Sequence, residues 1–292
     1  VSELAKQELL AAARARMERK GRQGLRRVPP RPRRPEQQIR EYRARLRDVT
    51  TALAEEVRAQ VFPEIESIIE QAGTRSDGVR LDDWGQRLRD LFVSTRMSIE
   101  PVMGRTREIM LSIGDRVTGR ATEEQIKAVR AVLGVRPTFY DDDKVRGILN
   151  AWKDQNGAFI TRMADDAVQQ MQDVASRAVR QGRTTAEVRE QLRKRFEVSD
   201  NRAKLIARTE ISQLNAQITR ERQREIGIPG YDWMDSGDER VRDSHEELDG
   251  ESFDWDNPPA STGGNHPGEE PNCRCTARGR VSALLDELEG GE

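Results

Sequence analysis

From Ile39 to Ile218 the apolar residues of this chain recur every three or four positions, a spacing that commits most of it to amphipathic helices. Ile39, Tyr42, Leu46, Val49, Leu53, Val57 and Val61 make one stripe. Pro63 interrupts it, and Ile65, Ile68 and Ile69 carry it on to Gly73, where Thr74 to Gly78 reads as a turn. Leu81, Trp84, Leu88, Leu91 and Phe92 give a second helix. Ile109, Met110 and Ile113 mark a third, closed by Gly114, and residues 122–133 a fourth. A long helix follows from about Lys144 to Arg180, with Gly182 as its cap. Thr184-Thr-Ala-Glu187 reads as a capping box opening a short helix through Phe196. Ser199-Asp200 reads as the cap of a further helix that stops at Gly227-Ile-Pro-Gly230. Composition agrees: 35% of residues are charged and only 4% aromatic, which suits solvated helix faces better than a thick β-sandwich core.

After Gly230 the texture changes. Tyr231-Asp-Trp-Met-Asp235 alternates at period two, and Glu251 to Trp255 and Cys273 to Arg278 read as two further short strands. The expected fold is therefore mainly α: an elongated helical N-terminal region, then an α+β C-terminal domain with helices packed on a short antiparallel sheet. The expected boundaries are 1–35, 36–150 and 151–292.

Residues 1–35 stand apart. They hold eleven Lys and Arg against three Glu, while the whole chain has a net charge of −1. An Ala- and Arg-rich helical stretch, Ala5 to Met17, leads into Val28-Pro-Pro-Arg-Pro-Arg-Arg-Pro35, where dense proline favours extended chain. This basic arm is either a tail or a docking arm for phosphates or an acidic partner, through Arg22, Arg26, Arg27, Arg31, Arg33 and Arg34. No apolar run approaches the roughly 20 residues of a membrane span. Val1-Ser-Glu-Leu lacks the apolar core of a signal peptide, and the absence of an initial Met leaves the true N-terminus open.

Both histidines and both cysteines fall in one stretch: His245, His266, Cys273 and Cys275. Residues two apart on a strand share a face, so the two thiolates of Cys273-Arg-Cys275 suit one ion, with the histidines completing a structural zinc site. The alternative is a pair of buried thiols packing as small hydrophobes, with the histidines anchoring loops. A disulfide across so short a spacing would be strained, which points to a reducing compartment. Asp141 to Asp143 reads as negative charge favoured at a helix N-terminus, with a carboxylate metal site as the alternative.

A second set of polar residues surrounds these: Ala207-Arg-Thr-Glu210, Asn215, Tyr231-Asp-Trp233, Ser236-Gly-Asp-Glu-Arg-Val-Arg242, Leu248-Asp-Gly250 and Pro271-Asn-Cys-Arg-Cys275. Arg208 and Glu210 lie two apart on a helix and need separate partners. Asp238 or Asp249 is expected for Arg208, and Arg240 or Arg242 for Glu210. In order and spacing, over roughly residues 150–280, this pattern resembles the C-terminal domain of the phage Mu F-like minor head proteins, also called head morphogenesis proteins. The chain departs from many relatives at Val241 to His245, where they carry a Cys-Pro-x-Cys pair.

The resemblance implies a minor capsid protein of a tailed phage or prophage-like particle. Its place would be the portal vertex or capsid interior after assembly in the host cytoplasm, with the portal, other head proteins and DNA as partners and several copies around the portal. It implies roles in head assembly and in genome packaging or delivery, and no enzyme activity. The alternative is an enzyme-like effector, of nuclease or ADP-ribosyltransferase type, delivered with the DNA. Glu210 or Asp238 with His245 would then serve as acid and base.

Overall fold

The computed structural model describes residues 2–74, 81–137, 142–181 and 183–290. Nine α-helices and three strands lie within these residues: α1 Ser2–Lys20, α2 Glu36–Glu56, α3 Phe62–Thr74, α4 Leu81–Ser98, α5 Glu100–Leu133, α6 Asp142–Arg180, α7 Thr185–Glu225, β1 Gly230–Met234, α8 Asp243–Glu246, β2 Ser252–Asp254, β3 Thr276–Gly279 and α9 Val281–Gly290. The fold is mainly helical with a small antiparallel sheet near the C-terminus, as expected. No described helix is long and apolar enough to cross a membrane. The turn expected after Thr74, Asp141 and the capping Gly182 lie outside the described residues.

The contact pattern divides the chain into two compact units: residues 1–40, 113–153 and 206–292, and residues 41–112 and 154–205. In the second unit the α2 stripe is buried as its spacing requires, with Tyr42, Leu46, Val49, Leu53, Val57 and Val61 all 2% exposed or less. Pro63 does not interrupt the helix. A single π turn over Val57–Val61 joins α2 to α3, and the Phe62 N–H reaches back to the Val57 carbonyl. The wider turn accommodates a residue that lacks an N–H and crowds the preceding carbonyl. The Tyr42 hydroxyl donates to Asn156 Oδ1 in this core.

Two expected breaks are absent. Gly114 does not close a helix; α5 runs through it. A Cβ there would stand 2.6 Å from the Trp152 ring and 3.1 Å from Leu149, so the glycine permits close approach of α6. Ser199-Asp200 does not start a helix either, because α7 continues without a Gly or Pro between Thr185 and Glu225 to stop it. The capping box at the start of α7 is present: the Thr184 N–H donates to Glu187 Oε2 at 2.8 Å, and the Glu187 N–H to Thr184 Oγ1 at 3.3 Å. At its far end Gly227 has φ +77°, and the Gly227 and Ile228 N–H groups bond to the Arg224 and Gln223 carbonyls. This is the Schellman arrangement that a glycine after a helix supplies.

In the first unit, β1 lies between β2 and β3 and is antiparallel to both. Tyr231 and Trp233 point into a core with Trp255, Cys273, Cys275 and Ala277. Asp232 faces the other way, accepting from Ser252 Oγ at 2.8 Å and from Arg278 at 2.8 Å. Gly230 is required at the start of β1, since a Cβ there would meet the Phe253 carbonyl at 2.2 Å. A second cluster joins Leu9 and Ala13 of α1, Val129, Val132 and Leu133 of α5, Ile226 and Ile228, and Val281, Leu284 and Leu285 of α9. The last helix, with its Val281, Leu284, Leu285, Leu288 spacing, is absent from the sequence expectation.

Candidate metal centre and the polar motif around it

The loops of the small sheet bring three of the four nominated ligands together. His245 sits on the single turn of α8, and Cys273 and Cys275 on the extended run just before β3 rather than on the strand itself. All three are buried, and their ligand atoms lie within 4.8 Å of one another, the one such group of three or more His, Cys, Asp or Glu among the described residues. His245 Nδ1 stands 3.7 Å from Cys273 Sγ and 3.5 Å from Cys275 Sγ. A tetrahedral ion bound at about 2.3 Å to sulfur and about 2.0 Å to nitrogen sets those atoms roughly 3.5 Å apart. The group could therefore hold a metal with little rearrangement.

His266 is not part of it. Its Nδ1 is hydrogen-bonded to the Tyr231 hydroxyl at 2.9 Å, and its ring packs edge-on to Trp255. Burial pushes the His266 imidazole below its ordinary pKa and raises that of the Tyr231 phenol, so the pair is held neutral. The histidine that sequence placed in the ligand set is instead a polar anchor for the loop over the aromatic core.

Backbone geometry explains why the thiols converge. Asn272 has φ +62°, the single non-glycine residue with positive φ among those described, in the left-handed region that Asn tolerates. Its N–H donates to Thr209 Oγ1 at 2.9 Å, and its Oδ1 accepts from Arg208 at 2.5 Å, fixing the turn against α7. Cys273 Sγ accepts from the N–H groups of Gly268 and Cys275, each at 3.4 Å. The Cys275 side chain first, then these amides and His245, push the Cys273 thiol down to about 6 against the opposing effect of burial. Cys275, facing that thiolate from a buried position, is pushed far up.

The other nitrogen of His245 also has a partner. Nε2 lies 3.2 Å from Glu270 Oε1, and Glu270 Oε2 accepts from Arg242 at 2.8 Å. A carboxylate beside Nε2 favours the tautomer whose Nε2–H donates to it, which leaves the Nδ1 lone pair facing the sulfurs. Glu270 and Gly268 are functional residues that sequence reasoning missed; the signal was an acidic residue and a glycine shortly before the first cysteine.

The polar motif forms a frame around this centre, in which Arg208 has a partner other than those expected. Arg208 bonds Asn272, not Asp238 or Asp249. Asp238 instead takes Arg274 and the Arg240 N–H; burial alone would raise its pKa, but these partners hold it below the carboxylate range. Asp249 accepts the Asp235 N–H at 2.8 Å and pairs with Arg31 at 3.3 Å. Glu210 is half-buried on α7, and Asn215 lines a small cavity with Pro32, Arg34, Pro35 and Cys275. Asp142 and Asp143 lie in the first turn of α6 and pair with Arg222 and Arg146, the charge-at-the-terminus reading rather than a metal site.

The Pro/Arg-rich segment forms neither helix nor strand and is part of the first unit. Arg31 also donates to the Asp235 carbonyl at 2.7 Å, Arg22 pairs with Glu289, and Arg34 pairs with Glu36. The Arg26 N–H bonds the Ala131 carbonyl, and the Arg33 carbonyl accepts from Arg120. The side chains of Arg26, Arg27 and Arg33 are exposed.

Comparison with known proteins covers this same region. Residues 169–278 match the family described as Phage Mu protein F like protein. An uncharacterized protein of Haemophilus influenzae is 38% identical over 127 residues, which is 44% of this chain and 28% of that protein. The chain thus spans under a third of the length of that relative. No solved structure gives a significant match. The matched segment takes in the end of α6, all of α7, β1, β2, all but the last residue of β3 and the His-Cys-Cys group, and over these residues the chain is similar to the Phage Mu protein F like family.

Proposed function

We propose that the chain is a minor head protein of a tailed phage or prophage-like particle, acting in head morphogenesis at the portal or inner head wall. The observation that carries this reading is the family match over residues 169–278, which coincides with a structurally complete assembly of α7, sheet and loops. In this reading the helical region 36–150 supplies docking surfaces for the portal or capsid. The exposed arginines of the first 35 residues contact packaged DNA through its phosphates. The protein is virion-associated, in several copies around the portal, with genome packaging or delivery as its wider role.

The His245–Cys273–Cys275 group is proposed to hold a zinc ion that ties α8 and the loop before β3 together, where strands this short would be marginal alone. In this reading His245 serves as a ligand steadied by Glu270, and Asp238 as a structural partner of Arg274.

Mass spectrometry and cryo-electron microscopy of purified particles test the reading. Density for this chain at the portal vertex is expected. Its absence from complete particles and proheads would overturn the proposal and bring forward the delivered-enzyme alternative.

A further inference from the structure

The metal group has one face without a protein ligand. A cavity of about 50 Å³ adjoins it, lined by the group's three residues together with Arg240, Arg242, Asn272 and Arg274. That volume exceeds the space one water requires. No further His, Cys, Asp or Glu joins the three ligands among the described residues, and Glu270 is engaged with Nε2 rather than facing the sulfurs. The rim is strongly basic. Arg242 and Arg274 each hold a carboxylate, but Arg240 has no carboxylate partner within ion-pair distance among the described residues, and its side chain is exposed. Arg208, just behind Asn272, has its own charge opposed by burial and then by Arg274, Arg34 and Arg240, which marks a local excess of positive charge.

A closed structural zinc site has four protein ligands, whereas three leave one position for a small molecule. We propose that the zinc ion is held by His245 Nδ1, Cys273 Sγ and Cys275 Sγ alone, and that its fourth position opens on the arginine-rimmed cavity and binds a small anion. This rests on the zinc reading above and adds a ligand to it. Two thiolates bring the ion's charge to zero, so the ion alone would attract an anion weakly. The arginines supply the missing attraction, and Arg240, the one without a carboxylate, is the residue placed to do it.

The test uses the full chain, purified under reducing conditions and loaded with cobalt(II) as a spectroscopic stand-in for zinc. Metal analysis is expected to give one ion per chain, and the visible spectrum to show tetrahedral cobalt with thiolate charge-transfer bands. Adding sodium azide should then shift the ligand-field bands saturably. An Arg240→Gln chain should bind one ion as before but need roughly tenfold more azide for the same shift. A chain that binds no metal at all overturns the zinc reading and this proposal together. One bound ion whose spectrum azide does not alter leaves the zinc reading standing and overturns the open position. An azide shift that Arg240→Gln leaves unchanged overturns the part assigned to the arginine rim.

Discussion

His245 and Glu270 are joined through Nε2 and Oε1 at 3.2 Å, on the side of the ring away from the two cysteines. The carboxylate fixes both the orientation of the imidazole and which nitrogen carries its proton. Replacing Glu270 with Gln keeps the shape and removes the charge. Zinc affinity, measured by competition with a chromophoric chelator, is expected to fall roughly 10- to 100-fold, as for other partners of metal-bound histidines. Unchanged affinity would mean that Glu270 serves only Arg242.

His266 sets a pH dependence. Burial holds its folded-state pKa below the value of about 6.5 in an unfolded chain. Between those two values the unfolded state binds a proton that the folded state refuses, so stability falls as pH drops below about 6.5 and stops falling at the folded-state pKa. Above that window the group contributes no pH dependence. Urea unfolding at a series of pH values should show this acid-side loss in the natural chain and a smaller one in His266→Gln. Identical slopes for the two proteins would contradict the assignment.

Two glycines of α5 should respond with opposite signs. Gly→Ala inside a helix gains up to about 1 kcal/mol of propensity. At Gly119 nothing lies within 4 Å of the added Cβ, so Gly119→Ala should raise the melting temperature. At Gly114 the Cβ would press into the Trp152 ring, and overpacking costs about 1–3 kcal/mol, which outweighs the propensity. Gly114→Ala should therefore melt lower than the natural chain. Stabilisation at both positions would show that α6 yields to the added methyl.

Leu9 of α1 is 3% exposed within the cluster that includes α9. Leu9→Ala should cost about 2–5 kcal/mol in denaturant unfolding, the range for truncating a buried leucine. An effect near zero would show that α1 is detached from that cluster in solution.

Because α1 contributes to a core, deleting residues 1–35 would confound any DNA experiment. Substituting the exposed Arg26, Arg27 and Arg33 with Gln avoids this. If all three meet phosphates, the slope of log affinity against log salt should shrink by roughly 3. DNA binding with an unaltered slope would remove these residues from the interface.

Much of this was legible in the sequence because it follows from local rules. The α2 stripe, the Thr184–Glu187 box and the Gly227 stop all depend on neighbours within a few residues. What was not legible depends on residues far apart in sequence. Gly114 looks like a terminator until Trp152 is seen beside it. Ser199-Asp200 looks like a cap, yet cap residues do not end a helix that has no breaker. His266 has the chemistry of a ligand, and only the position of Tyr231 decides that it is not beside the sulfurs. The partners of Arg208 and Asp238 were exchanged for a similar reason: Asn272 and Arg274 belong to a loop whose path is set by a positive φ angle.

The contact between α1 and α9 has a bearing on how the chain is made. Leu9 and Ala13 are synthesised before their partners Leu284 and Leu285, which follow about 270 residues later. Until then one side of the first helix has nothing apolar from α9 to cover it. A polypeptide cut off after Arg280 would keep its sheet and its thiols and still carry an uncovered greasy seam, of the kind that chaperones and proteases act on. Closure of this seam therefore waits on the synthesis of α9.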